Sequence, residues 1–330
     1  MYLVGEAKMA LETWRVMFLI CGGATILIGV FFIFAMPRDT STAWFLNENE
    51  RRIATERLAL DRETRDRSEF NMDQVKEALV DPATWLYFLM AFFICIPSPI
   101  LKVNLAHPDR SGRSNANVMP QFSSLVISGF GFNKFQTMLV GLPCGALEII
   151  VTWIAALGMR YTKNLRSFWG ILLTLVPLIG SALMMTIPKS EKWGIVVSTW
   201  LAACSTSLMV ITNSMIATNV KGNTKKSTVS AIFFVGYSVG CISGPQLWQA
   251  VDAPRYTKGC ISSLVSWALL VVTFAVYYFY LKWENKKRAA LSLSMTAEGE
   301  GSGEKMKSHV GIELDSDLTD RQDLRFLYTL

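Results

Sequence analysis

Apolar residues run along this chain in long blocks, separated by shorter polar stretches. The blocks fall near residues 14–36, 83–97 continued by 121–128, 135–157, 165–187, 193–215, 228–250 and 261–283. No charged residue occurs between Phe168 and Thr186, or between Ser227 and Val251. About 20 apolar residues in a helix cross a bilayer core of about 30 Å. A soluble domain can bury one such run, but several in series need a membrane as solvent. The pattern therefore predicts an all-α integral membrane fold with about seven transmembrane helices.

The second block departs from the rest. Residues 83–97 are too few to span, and 98–120 is polar and turn-rich, with Lys102, Asp109, Arg110 and Arg113. Joining 83–97 to 121–128 restores a normal span, so 98–120 is expected to be an insertion that splits one helix. The alternative ends the helix near Leu101 and makes the remainder an exterior loop. Two further regions read as soluble: 37–82, dense in charge, and 284–330, a polar tail expected to be largely disordered. Within the first, Thr42 is placed to cap a helix through Ala43, Phe45, Leu46, Ile53 and Leu58. A second short helix is expected after Asp73.

Composition sharpens this picture. Hydrophobic residues make up 51% and charged residues 18% of the chain, against about 25% charged in an ordinary soluble domain. The formal net charge of +6 lies in the loops, where it sets topology and argues against nucleic acid as a partner. Eight Lys and Arg fall in the loop after the first block, from Arg38 to Lys76. Alternate loops continue with Arg160, Lys163 and Arg166, then Lys221, Lys225 and Lys226, then Lys282 to Arg288. The intervening loops are poorer, so the positive-inside rule places 37–81 and the C-terminal tail in the cytoplasm and the N-terminus outside. The six cysteines form no Cys-x-x-Cys pair, and no metal or cofactor motif is present. The first block is too long for a signal-peptide core and reads as a membrane anchor.

Several local patterns then carry a resemblance. Trp14-Arg15 opens the first helix and Pro37 closes it, ahead of Phe45-Leu46 and Glu50-Arg51. Gln74-Val-Lys-Glu-Ala-Leu is followed by Asp81-Pro82 and Trp85. Asn223-Thr224-Lys225-Lys226 precedes GYSVGCISGPQ, Gly236 to Gln246. Ala253-Pro254-Arg255-Tyr256 and the tail Asp317-Leu318-Thr319-Asp320-Arg321, with Phe326 and Tyr328, complete the set. Together these resemble the fungal allantoate permease group of anion:cation symporters within the major facilitator superfamily.

The resemblance implies a twelve-helix bundle of two six-helix halves, with substrate held near the midplane between them. On that plan the chain starts at the sixth helix, so 83–283 is the complete second half and 37–82 the loop between halves. The first five helices would be absent. Two departures stand out. Cys241 occupies a position usually held by Asn in that family, and 98–120 replaces a short turn.

Candidate chemistry is sparse. Glu148 is the one acidic residue deep inside an apolar block, where an ionisable group costs on the order of 3 kcal/mol and usually faces a cavity or a partner. It is a candidate proton-coupling carboxylate; the plain alternative is a structural hydrogen bond to a neighbouring helix. Asn213, with Thr212 and Ser214, and Gln246, with Gln249, offer hydrogen bonds to a carboxylate or ureide, or between helices. Gly236, Gly240 and Gly244 form one smooth helical stripe for close packing. Pro245 follows it and favours a kink, which fits either a gating helix or a static packing face. Lys134, Arg160 and Arg166 read as topology anchors at span edges. No nucleophile elbow, phosphate loop or His-based metal site occurs, so no enzyme is expected.

The expected function is transport of small organic anions by proton symport, in the plasma membrane, with protons and the lipid bilayer as the other partners. The alternatives are a seven-helix receptor and a transport-inactive fragment with a regulatory or assembly role.

Overall fold

The structure, a computed structural model, describes residues 13–37, 42–62, 70–97, 134–162, 165–188, 191–247, 257–301, 318–323 and 326–330. All the regular structure among them is helical. Six helical spans are long and apolar enough to cross a membrane, or seven if a bent pair is counted as one. This is the all-α membrane architecture that the apolar blocks predict. The suspected insertion at 98–120 lies outside the described residues.

The chain divides into two compact units. The first contains α1 (Thr13–Ala35) and α2 (Glu48–Arg62). Apolar side chains of α1 are exposed on all sides, Phe34 at 81% and Ile33 at 76%, as expected of a span whose surroundings are lipid or other helices. α2 starts later than the Thr42 cap predicts. The turn at Ala43–Leu46 intervenes, with the Leu46 N–H on Ala43 O at 3.3 Å. Glu50 then folds back to accept the Asn47 N–H at 3.0 Å. That contact is half of a capping box, and the acidic side chains of Glu48 and Glu50 suit the positive end of the helix.

The second unit holds the remaining helices. α3 (Met72–Val80) is capped by the Asn71 side chain, which accepts the Asp73 N–H at 2.9 Å. Asp81 then ends α3 and caps α4 (Pro82–Cys95), accepting the Ala83 N–H at 3.2 Å. Pro82 supplies a first helical residue that needs no hydrogen-bond partner. The chain bends by 68° at this junction. α5 (Lys134–Tyr161) and α6 (Arg166–Thr186) follow, each with an internal proline, Pro143 and Pro177.

The block at 193–215 is not one continuous helix. α7 (Lys192–Ala202) stops and α8 (Thr206–Asn219) restarts after three residues. α9 (Asn223–Leu247) and α10 (Thr257–Gly301) complete the bundle. α4 packs chiefly on α9, and α6 on α10 and α7. The core runs between them through Tyr87, Leu208, Ile211, Phe233, Trp267 and Phe274, all at most 1% exposed.

The glycine stripe is the α4–α9 seam. A methyl group added to Gly236 would lie 2.5 Å from Phe88 O, on Gly240 2.7 Å from Phe92 O, and on Gly244 2.7 Å from Ile96 O. Two backbone carbonyls of α4 and that of Ile96, the residue that ends it, thus occupy the space that side chains on α9 would fill. In lipid there is little hydrophobic gain from helix association, so close approach of this kind is what holds the pair.

Of the tail expected to be largely disordered, 284–330, the described residues are ordered, while 302–317 and 324–325 lie outside them. α10 continues to Gly301, and residues 318–323 and 326–330 fold against one end of the bundle. Asp320 is 2% and Thr319 0% exposed. The tail carries its own hydrogen-bonding and ion-pairing groups, so it docks by polar contacts that a scan for apolar blocks does not register.

Candidate functional site

Two polar centres stand out in the second unit, one within a span and one at an end. The first is at the break between α7 and α8. Ser205 makes no side-chain cap, and Glu148 of α5 serves instead: its carboxylate accepts the Thr206 N–H at 3.1 Å. Broken backbone inside a membrane is tolerated only where protein groups satisfy it, and Glu148 satisfies one such donor. Trp200 anchors the other side of the break, donating from Nε1 to Val140 O on α5 at 2.9 Å. Cys204 Sγ returns to Trp200 O at 3.3 Å. Glu148 is half-buried, about 20 Å along α5 from its end at Tyr161 at 1.5 Å per residue. The structural hydrogen bond foreseen for this carboxylate is therefore present, made to backbone rather than to a side chain.

The other predicted polar residues do not gather around it. Asn213 is exposed on α8 and donates from Nδ2 to Met209 O of its own helix at 3.0 Å. Gln246 is exposed near the end of α9, one residue after Pro245. No described contact joins either of them to Glu148.

The second centre went unrecognised as a site in the sequence. Lys225, read there as a topology charge, is 1% exposed. Its ammonium lies 2.9 Å from Glu77 Oε1, 3.0 Å from Asp81 Oδ2 and 2.8 Å from Asp320 Oδ1. The carboxylates come from α3, the α3–α4 junction and the tail. Three donors on one ammonium meeting three acceptors is full satisfaction of a buried Lys. Asp81 Oδ1 also accepts from Arg321 at 3.2 Å. Burial alone would lower the Arg321 guanidinium, but Asp81 and Tyr280 beside it raise it overall.

Below Lys225 the site becomes phenolic. Tyr87 and Tyr277 share a buried hydroxyl–hydroxyl contact, and Asn219 donates to Tyr277 Oη at 2.9 Å. A small cavity is lined by Asp81, Tyr87, Asn219, Lys225, Tyr277 and Tyr328, among others. Arg166, also read as a span-edge anchor, turns inward and donates to Ser214 O at 3.1 Å and Thr218 Oγ1 at 2.6 Å. A basic residue beside a span looks the same in sequence whether it faces water or a carboxylate. The signal in the sequence is the trio of family-like patterns around Asp81, Lys225 and Asp320, which the fold brings into contact.

Apolar helices, a glycine seam and a discontinuous span capped by a carboxylate define a polytopic membrane bundle of the kind that builds secondary transporters. Residues 2–245 match the Major Facilitator Superfamily model, and the chain belongs to that family. Over 99% of its length it is 31% identical to an uncharacterized transporter of Schizosaccharomyces pombe, covering 59% of that protein. It is 29% identical to the allantoate permease of Saccharomyces cerevisiae, covering 56% of it. It is 28% identical to an MFS-type transporter of Penicillium expansum, covering 62%. The chain thus spans little more than half the length of the curated relatives it matches. These relatives are named transporters or permeases, neither enzymes nor receptors. No solved structure matches the chain.

Proposed function

We propose that the chain forms the second six-helix half, with one preceding span, of a plasma-membrane symporter for small organic anions, carboxylates or ureides such as allantoate. The observation that carries this reading is Glu148 on the Thr206 N–H, at a break within a span. Discontinuous helices whose half-helix termini meet charged groups are how secondary transporters build substrate and coupling sites. An ionised Glu148 would hold the Thr206 amide by a charge-assisted bond, and a protonated one, accepting through its carbonyl oxygen alone, would hold it less tightly. That difference links a proton to the conformation of α8. Asn213 and Gln246, exposed on α8 and α9, are available to a neighbouring half or a substrate.

Geometry supports one common side for the basic loops. Within the second unit, segments beside those rich in Lys and Arg, at 70–81, 165–166, 221–226 and 284–288, send residues to one end. Glu77, Lys225, Arg288 and Asp320 meet there, and the Arg166 N–H reaches Leu330 O at 2.6 Å. Segments that meet share one side of the membrane, and their Lys and Arg content supports reading that side as cytoplasmic.

The test is uptake of labelled allantoate by cells expressing the chain, alone and extended by whatever coding sequence precedes it in the genome. The expected result is proton-driven accumulation in at least one form. Glu148→Gln should retain exchange of labelled substrate and lose pH-driven accumulation. Accumulation by the Gln variant with unchanged pH dependence leaves Glu148 as a helix cap only. No uptake by either form overturns the transport reading.

A further inference from the structure

We propose that the Lys225 end of the bundle is a peptide-binding groove, and that its occupant is the chain's own tail, through residues 318–323 and 326–330. The contacts divide into two kinds, and the division is that of a receptor for a peptide. The first kind recognises backbone. Asn285 donates from Nδ2 to Tyr328 O at 2.8 Å while its Oδ1 accepts the Tyr328 N–H at 3.0 Å. Asn219 does the same one residue on, with Thr329 O and the Thr329 N–H both at 2.9 Å. Each carboxamide thus matches the donor and acceptor of a single residue, as a neighbouring strand would. Arg288 adds bonds to Asp320 O and Phe326 O, both at 2.8 Å.

The second kind reads side chains. Asp320 enters the Lys225 site at 2.8 Å, and Asp323 pairs with Lys221 at 2.7 Å. Tyr328 is held at both ends of its hydroxyl: it donates to Asp320 Oδ2 and accepts from Arg288 Nη2, each at 2.7 Å. The Arg288 guanidinium also lies 4.4 Å from the Tyr328 ring centroid, within cation–π range. The groove therefore selects an acidic peptide that turns at residues 319–323 and carries a tyrosine eight residues after its aspartate.

Polar, charge-assisted contacts dominate the attachment. Such contacts are strong and set by geometry, so they discriminate between one peptide and another. Occupied, the groove ties α3, α8, α9 and α10 together at one end. Empty, it presents Lys221, Lys225 and Arg288.

A specific protease site placed between Gly301 and Leu318 allows the tail to be cut after the full chain has folded. A fluorescein-labelled peptide of residues 316–330 is then added, and binding is followed by anisotropy in detergent micelles. The cut protein should take up the peptide saturably, at least tenfold more tightly than the uncut protein. A peptide carrying Asp320→Asn and Tyr328→Ala should bind at least tenfold more weakly, as should the normal peptide to cut protein carrying Asn219→Ala and Asn285→Ala. Equal uptake by cut and uncut protein, no uptake by the cut form, or indifference to these changes would each overturn the proposal. None of the outcomes depends on transport.

Discussion

Two parts of the same helix are held in opposite ways. At its start, α9 presents Lys225 to three carboxylates from three other segments. Towards its middle, from about 16 Å along at 1.5 Å per residue, it presents Gly236 and then Gly240 and no side chain at either, with α4 carbonyls pressed against them. The first attachment is directional and charged; the second is steric and made by omission. The difference follows the solvent. At the membrane edge, water is close enough to hydrate charges during folding, and ion pairs can be assembled from chain segments of either sign. Deeper in lipid a charge is expensive, and helices gain most from fitting closely.

The sharpest way to break this contrast is Lys225→Met. It leaves Glu77, Asp81 and Asp320 facing one another in a buried site, and the loss should be about 3–5 kcal/mol, read as a fall in thermal midpoint in detergent. A variant as stable as the parent would mean that the hub is solvated and the contrast false. Next is Gly240→Leu. The added side chain meets Phe92 O and Cys95 Cβ, each 2.7 Å from a first methyl, and backbone cannot yield as a side chain can. A cost of about 1–3 kcal/mol or more is expected, against much less for Leu247→Ala at an exposed site. Equal behaviour of the two would remove the close-packing account of the seam.

Between these extremes lies the α7–α8 break, which is polar yet deep. Glu148→Ala removes a cap from the Thr206 N–H and should cost about 0.5–2 kcal/mol, whereas Glu148→Gln keeps an acceptor and should cost less. If the two variants unfold alike, the cap is not what stabilises the break. The smallest effect concerns alkaline pH. Burial, and then the Asp320 carboxylate, push the Tyr328 phenol well above its ordinary value, which is about 10. A group raised in this way contributes fully below its unfolded value, and its contribution is lost as pH rises above it. Thermal midpoints between pH 8 and 11 should fall more steeply for the parent than for Tyr328→Phe. Parallel curves would show that the tail does not bury this hydroxyl.

Much of the fold was legible because apolar block length is a direct consequence of bilayer thickness. The glycine stripe was legible for a similar reason, since i, i+4 spacing fixes a face without knowledge of the partner. The break at 203–205 was not. Ala203-Cys204-Ser205 contains neither Gly nor Pro, and the interruption is supported from outside by Glu148 and Trp200, on contacts 58 and 60 residues apart in sequence. The Lys225 hub was illegible for the same physical reason at greater range. Its ion pairs join residues 77, 81, 225 and 320, and local charge counting sees each as an ordinary solvated loop residue. What the sequence did contain was the family pattern at those positions, quoted as a likeness without a structural meaning.

The central claim is that Asp320 and Lys225 are direct partners that bind the tail to the bundle. A double-mutant cycle of Lys225→Met, Asp320→Asn and the combination, read by thermal or chemical unfolding, tests it most directly. Direct partners should be coupled by about 0.5–3 kcal/mol, so the combination should cost clearly less than the two single changes added together. Strictly additive losses would mean that the two residues do not meet, and that the tail is held by something else.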